Sequence, residues 1–493
     1  MQIDAPITAS MLYDYTRCPT RVGLDLFENS EKRDPISPFV QMLWDRGHLY
    51  EDEVISKLKY PHVNFKGLPS KERVKLTTEA MNRKEPLILG GRIQEGSLLG
   101  DPDLLRLEKQ KYIAGDIKSG AGEENEGDDK KPKKHYAVQL ALYTDILEQK
   151  GLLADRHAFV WDVHGEEVIY DFAIPMGPKT PETYWEYYQS ILEAVRVITQ
   201  KKALESPAYS SDCKQCHWMT ECKKALIDVD DITLIPELGR SRRESLLPFV
   251  KTVGDLAVCT EFPAKIPGIG QPTIEKFKRR ANLLSSAGKQ PYLLSPLELP
   301  QPKVEVFFDI ETDPLRDVCY LHGFVERVNG DNSTEKYISF FSDTARAEDE
   351  KVAFDKAFRY LTGKENSLFY YYSKYERTIW RKLQGRYPDV CSLEQIEALF
   401  DPGRGIDLLY DVVMKYTVWP TYSHSIKDLA VYLGFKWRDK HPSGAASIEW
   451  FDQWIRTKDP AHKQRILDYN EDDCIATRVL LDAIRQLQVK ANT

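Results

Sequence analysis

Ser97-Leu-Leu-Gly-Asp-Pro-Asp-Leu-Leu-Arg-Leu-Glu-Lys-Gln-Lys-Tyr-Ile-Ala-Gly-Asp-Ile-Lys-Ser119 reads as two short strands around a polar turn at Glu108 to Gln110. With the turn centred near residue 109, Asp103 stands across the hairpin from Asp116. Side chains alternate along a strand, so Asp116 and Lys118 share a face that Asp103 can join. Two carboxylates and an ammonium then converge. Carboxylate oxygens ligate Mg2+ or Mn2+, which polarises a phosphodiester and lowers the pKa of an attacking water, while a lysine stabilises developing charge. The set points to phosphodiester hydrolysis, although an isolated Asp-x-Lys is commonly an exposed strand pair.

Downstream, the polar run Ser119 to Lys134 predicts a mobile surface loop. The helix that follows, from His135, sets Gln139 and Tyr143 at i and i+4 on one face. Upstream, a helix starting near Ser37-Pro38 carries His48 and Glu51 on neighbouring positions of one face.

Gly-x-x-Asp at Gly100 to Asp103, Asp-x-Lys at 116 to 118 and Gln-x-x-x-Tyr at 139 to 143 resemble, in order and spacing, the RecB-type branch of the PD-(D/E)XK nucleases. The resemblance implies Asp103 and Asp116 as metal ligands and Lys118 as the catalytic lysine, with Gln139 and Tyr143 placing the DNA strand. Its first motif is weaker here. Glu51 is the expected further ligand, with His48 either joining it or standing as a solvated helix residue.

Cys213-Lys-Gln-Cys216-His-Trp-Met-Thr-Glu-Cys222 supplies three thiolates, and Cys18 offers a fourth. Four cysteines suit zinc or a 4Fe-4S cluster. One early cysteine and three late ones around a nuclease core resemble the iron-sulfur RecB-type nucleases, AddB and the CRISPR-adaptation nucleases among them. That resemblance implies a structural cluster. Cys259, Cys319, Cys391 and Cys474 read as ordinary thiols.

The chain has 493 residues, 42% hydrophobic and 29% charged, with a net charge of -8, enough for two or three folded domains. The acidic balance argues against a generic nucleic-acid sponge, yet leaves room for an enzyme whose acids collect metals. No P-loop, fixed-period repeat, signal segment or membrane-length apolar run occurs, so a cytoplasmic protein is expected. The expected organisation is a nuclease domain with the four-cysteine site at 1–228, a basic helical region at 229–287, a proline-rich linker at 288–302, and a second α/β domain at 303–493.

Residues 236–290 hold ten Lys and Arg against five Asp and Glu. Ile266-Pro-Gly-Ile-Gly270 followed by the helical Thr273 to Arg280 resembles a helix-hairpin-helix, and Ile235 to Gly239 with Arg240, Arg242 and Arg243 looks like a weaker copy. Gly268, Gly270, Gly239, Arg240 and Lys276 are the candidate DNA-backbone contacts. A plain helical turn with a solvated basic face is the competing reading.

Lys303-Val-Glu-Val-Phe-Phe-Asp-Ile-Glu-Thr-Asp313 alternates as a strand, with Asp309 and Glu311 on one side. Further strands are expected over Val318 to Val328 and Tyr337 to Phe341, and Tyr469 and Asp473 fall one turn apart on a late helix. Asp-x-Glu first and Tyr-x-x-x-Asp last resemble the RNase H-fold DEDD exonucleases, nearest the YprB-like branch. The resemblance implies Asp309, Glu311 and Asp473 as ligands and Tyr469 as the residue orienting water. Glu376 stands where many relatives place Asp. Asp407 is an alternative ligand or an N-cap, and Ser425-Ile-Lys427 and Leu433-Gly-Phe435 read as structural.

The combined expectation is an α/β multidomain protein: a restriction-endonuclease-like core, a small all-α helix-hairpin-helix region and an RNase H-like domain. It would be a Mg2+- or Mn2+-dependent DNA nuclease with a 4Fe-4S cluster. Single-stranded DNA ends are the leading substrate, and the second site is a 3'-5' exonuclease. The domain order matches the non-helicase part of RecB-like nucleases, which implies a separate helicase as partner. The alternatives are an RNA-processing exonuclease using the C-terminal site and a non-catalytic nucleic-acid-binding adaptor.

Overall fold

Apolar residues between Leu87 and Ile117 build short strands, and the run Ala137 to Leu147 builds a helix buried on nearly every side; they meet in the first of two units of the computed structural model. Unit 1 comprises Met1–Pro207 and Ser211–Cys222, unit 2 Ala208–Ser210 and Lys223–Thr493. The structure describes residues 6–124, 130–177, 180–263, 265–364 and 366–490. Among them no helix is long and apolar enough to cross a membrane.

In unit 1, β1 (Ile7–Thr8) leads into α1 (Ala9–Arg17), and α2 (Pro38–Ser56) starts where the Ser37 side chain accepts the Val40 N–H. Then come β2 (Val63–Asn64), α3 (Ser70–Asn82), β3 (Leu87–Leu89), β4 (Ile93–Glu95), β5 (Leu98–Gly100), β6 (Leu104–Glu108), β7 (Lys111–Ile117), β8 (Glu123–Glu124) and β9 (Lys131–Pro132). The unit continues with α4 (Lys134–Gln149), β10 (His157–Trp161), β11 (Glu167–Asp171), β12 (Pro175–Gly177), β13 (Thr180–Thr183) and α5 (Tyr184–Thr199). A six-stranded mixed sheet runs β11-β10-β7-β6-β3-β2, beside a small sheet β1-β5-β4. Helix α4 is apolar almost all round because it lies between the sheets and α1 and α5.

The expected mobile loop is more ordered at its described ends. β8 and β9 pair as a hairpin, Gly122 N–H donates to Asp162 Oδ2 at 3.1 Å, and Tyr170 Oη donates to Gly122 O. These anchors are buried, which the polar composition did not reveal. Residues 125–129 of that loop lie outside the described residues.

Unit 2 begins with α6 (Gly239–Leu246), α7 (Val253–Val258) and α8 (Gln271–Ser285), which share a core of Leu238, Leu246, Leu256, Ile274 and Phe277. The segment expected as a linker is extended but engaged: β14 (Tyr292–Leu293) pairs antiparallel with a later strand over Thr417–Val418, and Leu297 and Leu299 pack on the core behind it. Next are β15 (Val304–Asp313), β16 (Val318–Val328) and β17 (Asp331–Phe341). Asn329 and Gly330, both at positive φ, make the β16–β17 turn, so β17 starts several residues earlier than expected. β18 (Ser367–Tyr371), α9 (Tyr375–Arg386), β19 (Gly405–Asp407), β20 (Thr417–Val418), α10 (Ile426–Tyr432) and α11 (Pro460–Ile484) complete the elements used below. The sheet runs β17-β16-β15-β18-β19, with β15, β18 and β19 parallel and the other two strands antiparallel.

Candidate active sites

Lys109 and Gln110 both take positive φ, 46° and 72°, and their two-residue turn pairs Leu104 with Gly115. One residue further, the register sets Asp103 against Asp116, as expected. Asp103 N–H donates to Asp116 Oδ1 at 3.3 Å, and Ile117 N–H donates to Asp103 Oδ2 at 2.9 Å. Lys118 Nζ lies 2.8 Å from Asp116 Oδ2 and donates to Gln139 Oε1 at 3.3 Å. The chain continues from Gln139 Nε2 to Tyr143 Oη at 3.2 Å and from Tyr143 Oη to Asp101 O at 3.3 Å. A Cβ on Gly100 would fall 2.5 Å from Tyr143 Cδ1, so the glycine of Gly-x-x-Asp is what admits the ring.

Glu51 reaches this cluster from α2. Burial and the Asp116 charge push Asp103 up to about 8, and Glu51 is among the further negative charges acting on it. Lys66 Nζ stands 3.1 Å from Glu51 Oε2. His48 is exposed, and the carboxylate it acts on is Asp52. Burial opposes the Lys118 charge, but Asp116 and Asp103 outweigh it and raise its pKa. Asp116 Oδ2 is buried and, apart from its ion pair with Lys118, accepts no aligned hydrogen bond. That oxygen is a hard donor of the kind a divalent cation takes, although among the described residues Glu51, Asp103 and Asp116 do not bring three oxygens within 4.8 Å of one another.

Cys18 precedes the helix Pro19–Phe27, whose Asp25 accepts from Trp218 Nε1 at 2.9 Å and contacts His217 Nε2 at 2.7 Å. These two residues lie between Cys216 and Cys222, so the late cysteines are fastened to the helix that follows the early one. Burial, then the charges of Cys216, Cys18 and Cys213, push the Cys222 thiol up to about 12. All four sulfurs are therefore electrostatic neighbours.

In unit 2, β15 presents Asp309 and Glu311 on one face, and α11 brings Asp473; one oxygen from each lies within 4.8 Å of the others. Burial, Asp473 and Glu311 hold the Asp309 carboxyl well above the ordinary range, while burial and Asp473 push Glu311 up to about 8. Crowded buried carboxylates of this kind fit a divalent cation that would neutralise them. Trp437 Nε1 donates to Asp473 Oδ1 at 2.7 Å. Glu376 is 3% exposed, its Oε2 has no hydrogen-bond partner, and its charge is among those raising Asp309. The longer acid is thus near enough to act on Asp309, but it is not among the three carboxylates that lie within 4.8 Å of one another, and the acid acting on it is Asp407. Asp407 accepts from the N–H groups of Leu409 and Tyr410 and caps the helical turn Leu408–Val413, in keeping with the N-cap reading.

Two functional contributions escaped the sequence reading. Lys427, taken as structural, donates from Nζ to Tyr469 Oη at 2.6 Å and lies 3.6 Å from Asp473 Oδ2; α10 carries it to the site while Ser425 caps that helix. Asn470 Nδ2 donates to Asp309 Oδ2 at 2.7 Å and its Oδ1 accepts from Tyr337 Oη at 2.9 Å. Its position beside Tyr469 was the one available signal. Gly323, paired with Asp309 across β15 and β16, makes room: a Cβ there would fall 1.6 Å from Asn470 Oδ1.

The helical region departs from its expected basic face. Gly268 and Gly239 do take left-handed φ, 73° and 64°, and Gly270 caps α8. Lys276, however, is ion-paired to Glu237 at 2.7 Å, and Arg280 is 3% exposed, donating to Pro236 O at 2.9 Å. Glu237, itself exposed, takes both cations as partners, a pairing that a charge count does not reveal; against partial desolvation, His424 and these two cations hold its pKa down at about 2. Arg240 lies at the start of α6.

A sequence profile of the PD-(D/E)XK nuclease superfamily matches residues 40–223, and one of the RNase_H superfamily matches residues 306–485. No curated protein matches the chain. The protein is a mixed α/β chain with a PD-(D/E)XK domain and an RNase H-like domain. Two nuclease-superfamily domains support a metal-dependent nuclease, a phosphodiester hydrolase with a nucleic-acid substrate.

Proposed function

We propose that the protein is a Mg2+- or Mn2+-dependent deoxyribonuclease that trims single-stranded DNA ends at the unit 1 site, with a 3'-5' exonuclease site in unit 2. The observation that carries this reading is the convergence of Asp103, Asp116 and Lys118 on one hairpin, continued through Gln139 to Tyr143. Asp103, Asp116 and Glu51 would hold the cation, which when bound supplies the Lewis acidity that phosphodiester hydrolysis draws on. Lys118 places a positive charge where negative charge develops on the phosphate. Gln139 holds the lysine and Tyr143 holds Gln139 in turn; the Tyr143 ring is buried in the core, so it positions the site from behind and does not face the strand as expected. In unit 2, Asp309, Glu311, Asp473 and Glu376 would hold the cation, Asn470 orients Asp309, and Lys427 holds the Tyr469 hydroxyl.

Cys18, Cys213, Cys216 and Cys222 would hold a 4Fe-4S cluster with a structural role. The choice of iron-sulfur over zinc rests on one early cysteine and three late ones flanking the nuclease domain, where zinc sites more often bring two local pairs. The helical region, through Gly239, Gly268, Gly270 and Arg240, is the proposed contact with the DNA backbone, and a separate helicase is the proposed partner.

The test is a Mn2+ cleavage assay on end-labelled single-stranded DNA, after anaerobic purification with an iron count. Assayed in an Asp309→Ala background that silences the unit 2 site, Lys118→Ala should abolish the remaining cutting and keep DNA binding. Cutting unchanged by Lys118→Ala in that background would sink the assignment.

A further inference from the structure

The chemistry above makes no use of a pair of guanidiniums that the fold fixes beside Asp103. Arg73, on α3, donates from Nε to Gly90 O and from Nη2 to Gly91 O, each at 2.9 Å. Gly90 N–H in turn donates to Asp103 O at 2.9 Å, so the loop that holds Arg73 is bonded to the backbone of the catalytic carboxylate. Arg92, at the end of the same loop, donates from Nη1 to Ser70 Oγ at 3.1 Å.

Both guanidiniums then meet one oxygen, Asp101 Oδ1, Arg73 Nη2 at 3.1 Å and Arg92 Nη1 at 3.2 Å. The two arginine side chains are 18% and 19% exposed, whereas the Asp101 side chain is 43% exposed. The backbone oxygen of Asp101 is also the acceptor of Tyr143 Oη. Residues 101 to 103 therefore carry a tie to the buried Tyr143, a carboxylate held by two arginines, and the carboxylate of the proposed metal site. Immobilised planar guanidiniums converging on one exposed oxyanion have the donor geometry of a phosphate seat.

We infer that Arg73 and Arg92 seat a backbone phosphate of the strand being cut, and that Asp101 fills this seat until the strand displaces it. The inference rests on the reading of the unit 1 site as a nucleic-acid-cutting site. It gives the two partners of one ion pair opposite effects. Removing an arginine removes a phosphate contact, whereas Asp101→Asn keeps the shape and removes the competing charge.

The experiment measures binding of a fluorescent single-stranded oligonucleotide to the full-length Lys118→Ala protein, in Ca2+ across a KCl series. A lost phosphate contact on a single strand flattens the slope of log affinity against log salt by about 0.7. Arg92→Ala should flatten the slope by that amount and weaken binding severalfold at low salt. Asp101→Asn should tighten binding severalfold, and should do so less in the Arg92→Ala background. An unchanged slope in Arg92→Ala overturns the inference. So does weakening in both variants, because an ion pair that only staples the fold loses from either side. Cleavage with and without Lys118, in an Asp309→Ala background that silences the unit 2 site, separates the two claims. Cutting that depends on Lys118 while the salt slopes stay fixed removes the phosphate seat alone, and cutting indifferent to Lys118 removes the site reading and the inference with it.

Discussion

Replacing Gly323 by alanine drives a methyl to 1.6 Å from Asn470 Oδ1 and 3.0 Å from Tyr337 Oη. Neither strand β16 nor helix α11 can move aside cheaply, so the Asn470 amide must leave its place. Overpacking costs about 1–3 kcal/mol. Losing the hydrogen bond to the buried Asp309 carboxyl, 2.7 Å long in the native site, costs about 1.5–3 kcal/mol more. The sum is about 2.5–6 kcal/mol. Asn470→Ala alone loses the bond without the clash, about 1.5–3 kcal/mol. In the double variant the methyl added at position 323 enters space the amide has vacated, so its cost should stay near that of Asn470→Ala. The two substitutions should then couple by the whole cost of Gly323→Ala, at least about 2.5 kcal/mol. Urea unfolding of the four proteins, followed by tryptophan fluorescence at fixed Mg2+, reads this coupling. Additive costs would refute the reasoning, since they would mean that Gly323 and Asn470 do not share space.

Three further outcomes are expected. Burial and Asp473 raise Glu311 to about 8 from an ordinary value of 4.5, so the metal-free folded protein keeps a proton that the unfolded chain has released. Its stability should fall as pH rises through that window. Mg2+ competes with the proton, so calorimetry should show a larger Mg2+-induced rise in Tm at about pH 8 than at about pH 6; an equal rise counts against a cation among these carboxylates. Lys427→Met should lower activity of the unit 2 site about tenfold or more by freeing the Tyr469 hydroxyl, with Tyr469→Phe no more active; full activity in Lys427→Met, assayed in the Lys118→Ala background, would contradict this role. Cys18→Ser should reduce bound iron below the wild-type count and lower the Tm of unit 1, whereas Cys391→Ser should leave the iron unchanged. Equal iron in both variants would argue against the four-cysteine site.

The unit 1 site was legible because its geometry is local. A turn placed at residue 109 fixes which residues face each other on either side, and an i, i+4 spacing fixes Gln139 and Tyr143 on their helix. Asp309 and Glu311 were legible for the same reason. Lys427 and Asn470 were not, since each acquires its role through contact with an element more than a hundred residues away or from a helix whose docking no periodicity records. Two cations of α8 were legible as residues but not as ion pairs. Composition counts Lys276 and Arg280 as free cations, whereas packing delivers Glu237 between them. In the segment 288–302 the prolines pointed to an extended chain, which Tyr292–Leu293 adopt, but not to the strand these residues pair with.

That pairing bears on how the protein can be dissected. Residues 292 and 293 bond β20, Leu293 also bridges to Val489, and Leu297 and Leu299 cover apolar residues of the RNase H-like core. A fragment begun at residue 303 would uncover that apolar patch and leave β20 with an open edge, a template for pairing with another chain. Such a fragment should aggregate where one begun at residue 223 stays in solution, so an inactive truncation at 303 would report a torn seam before it reported anything about catalysis.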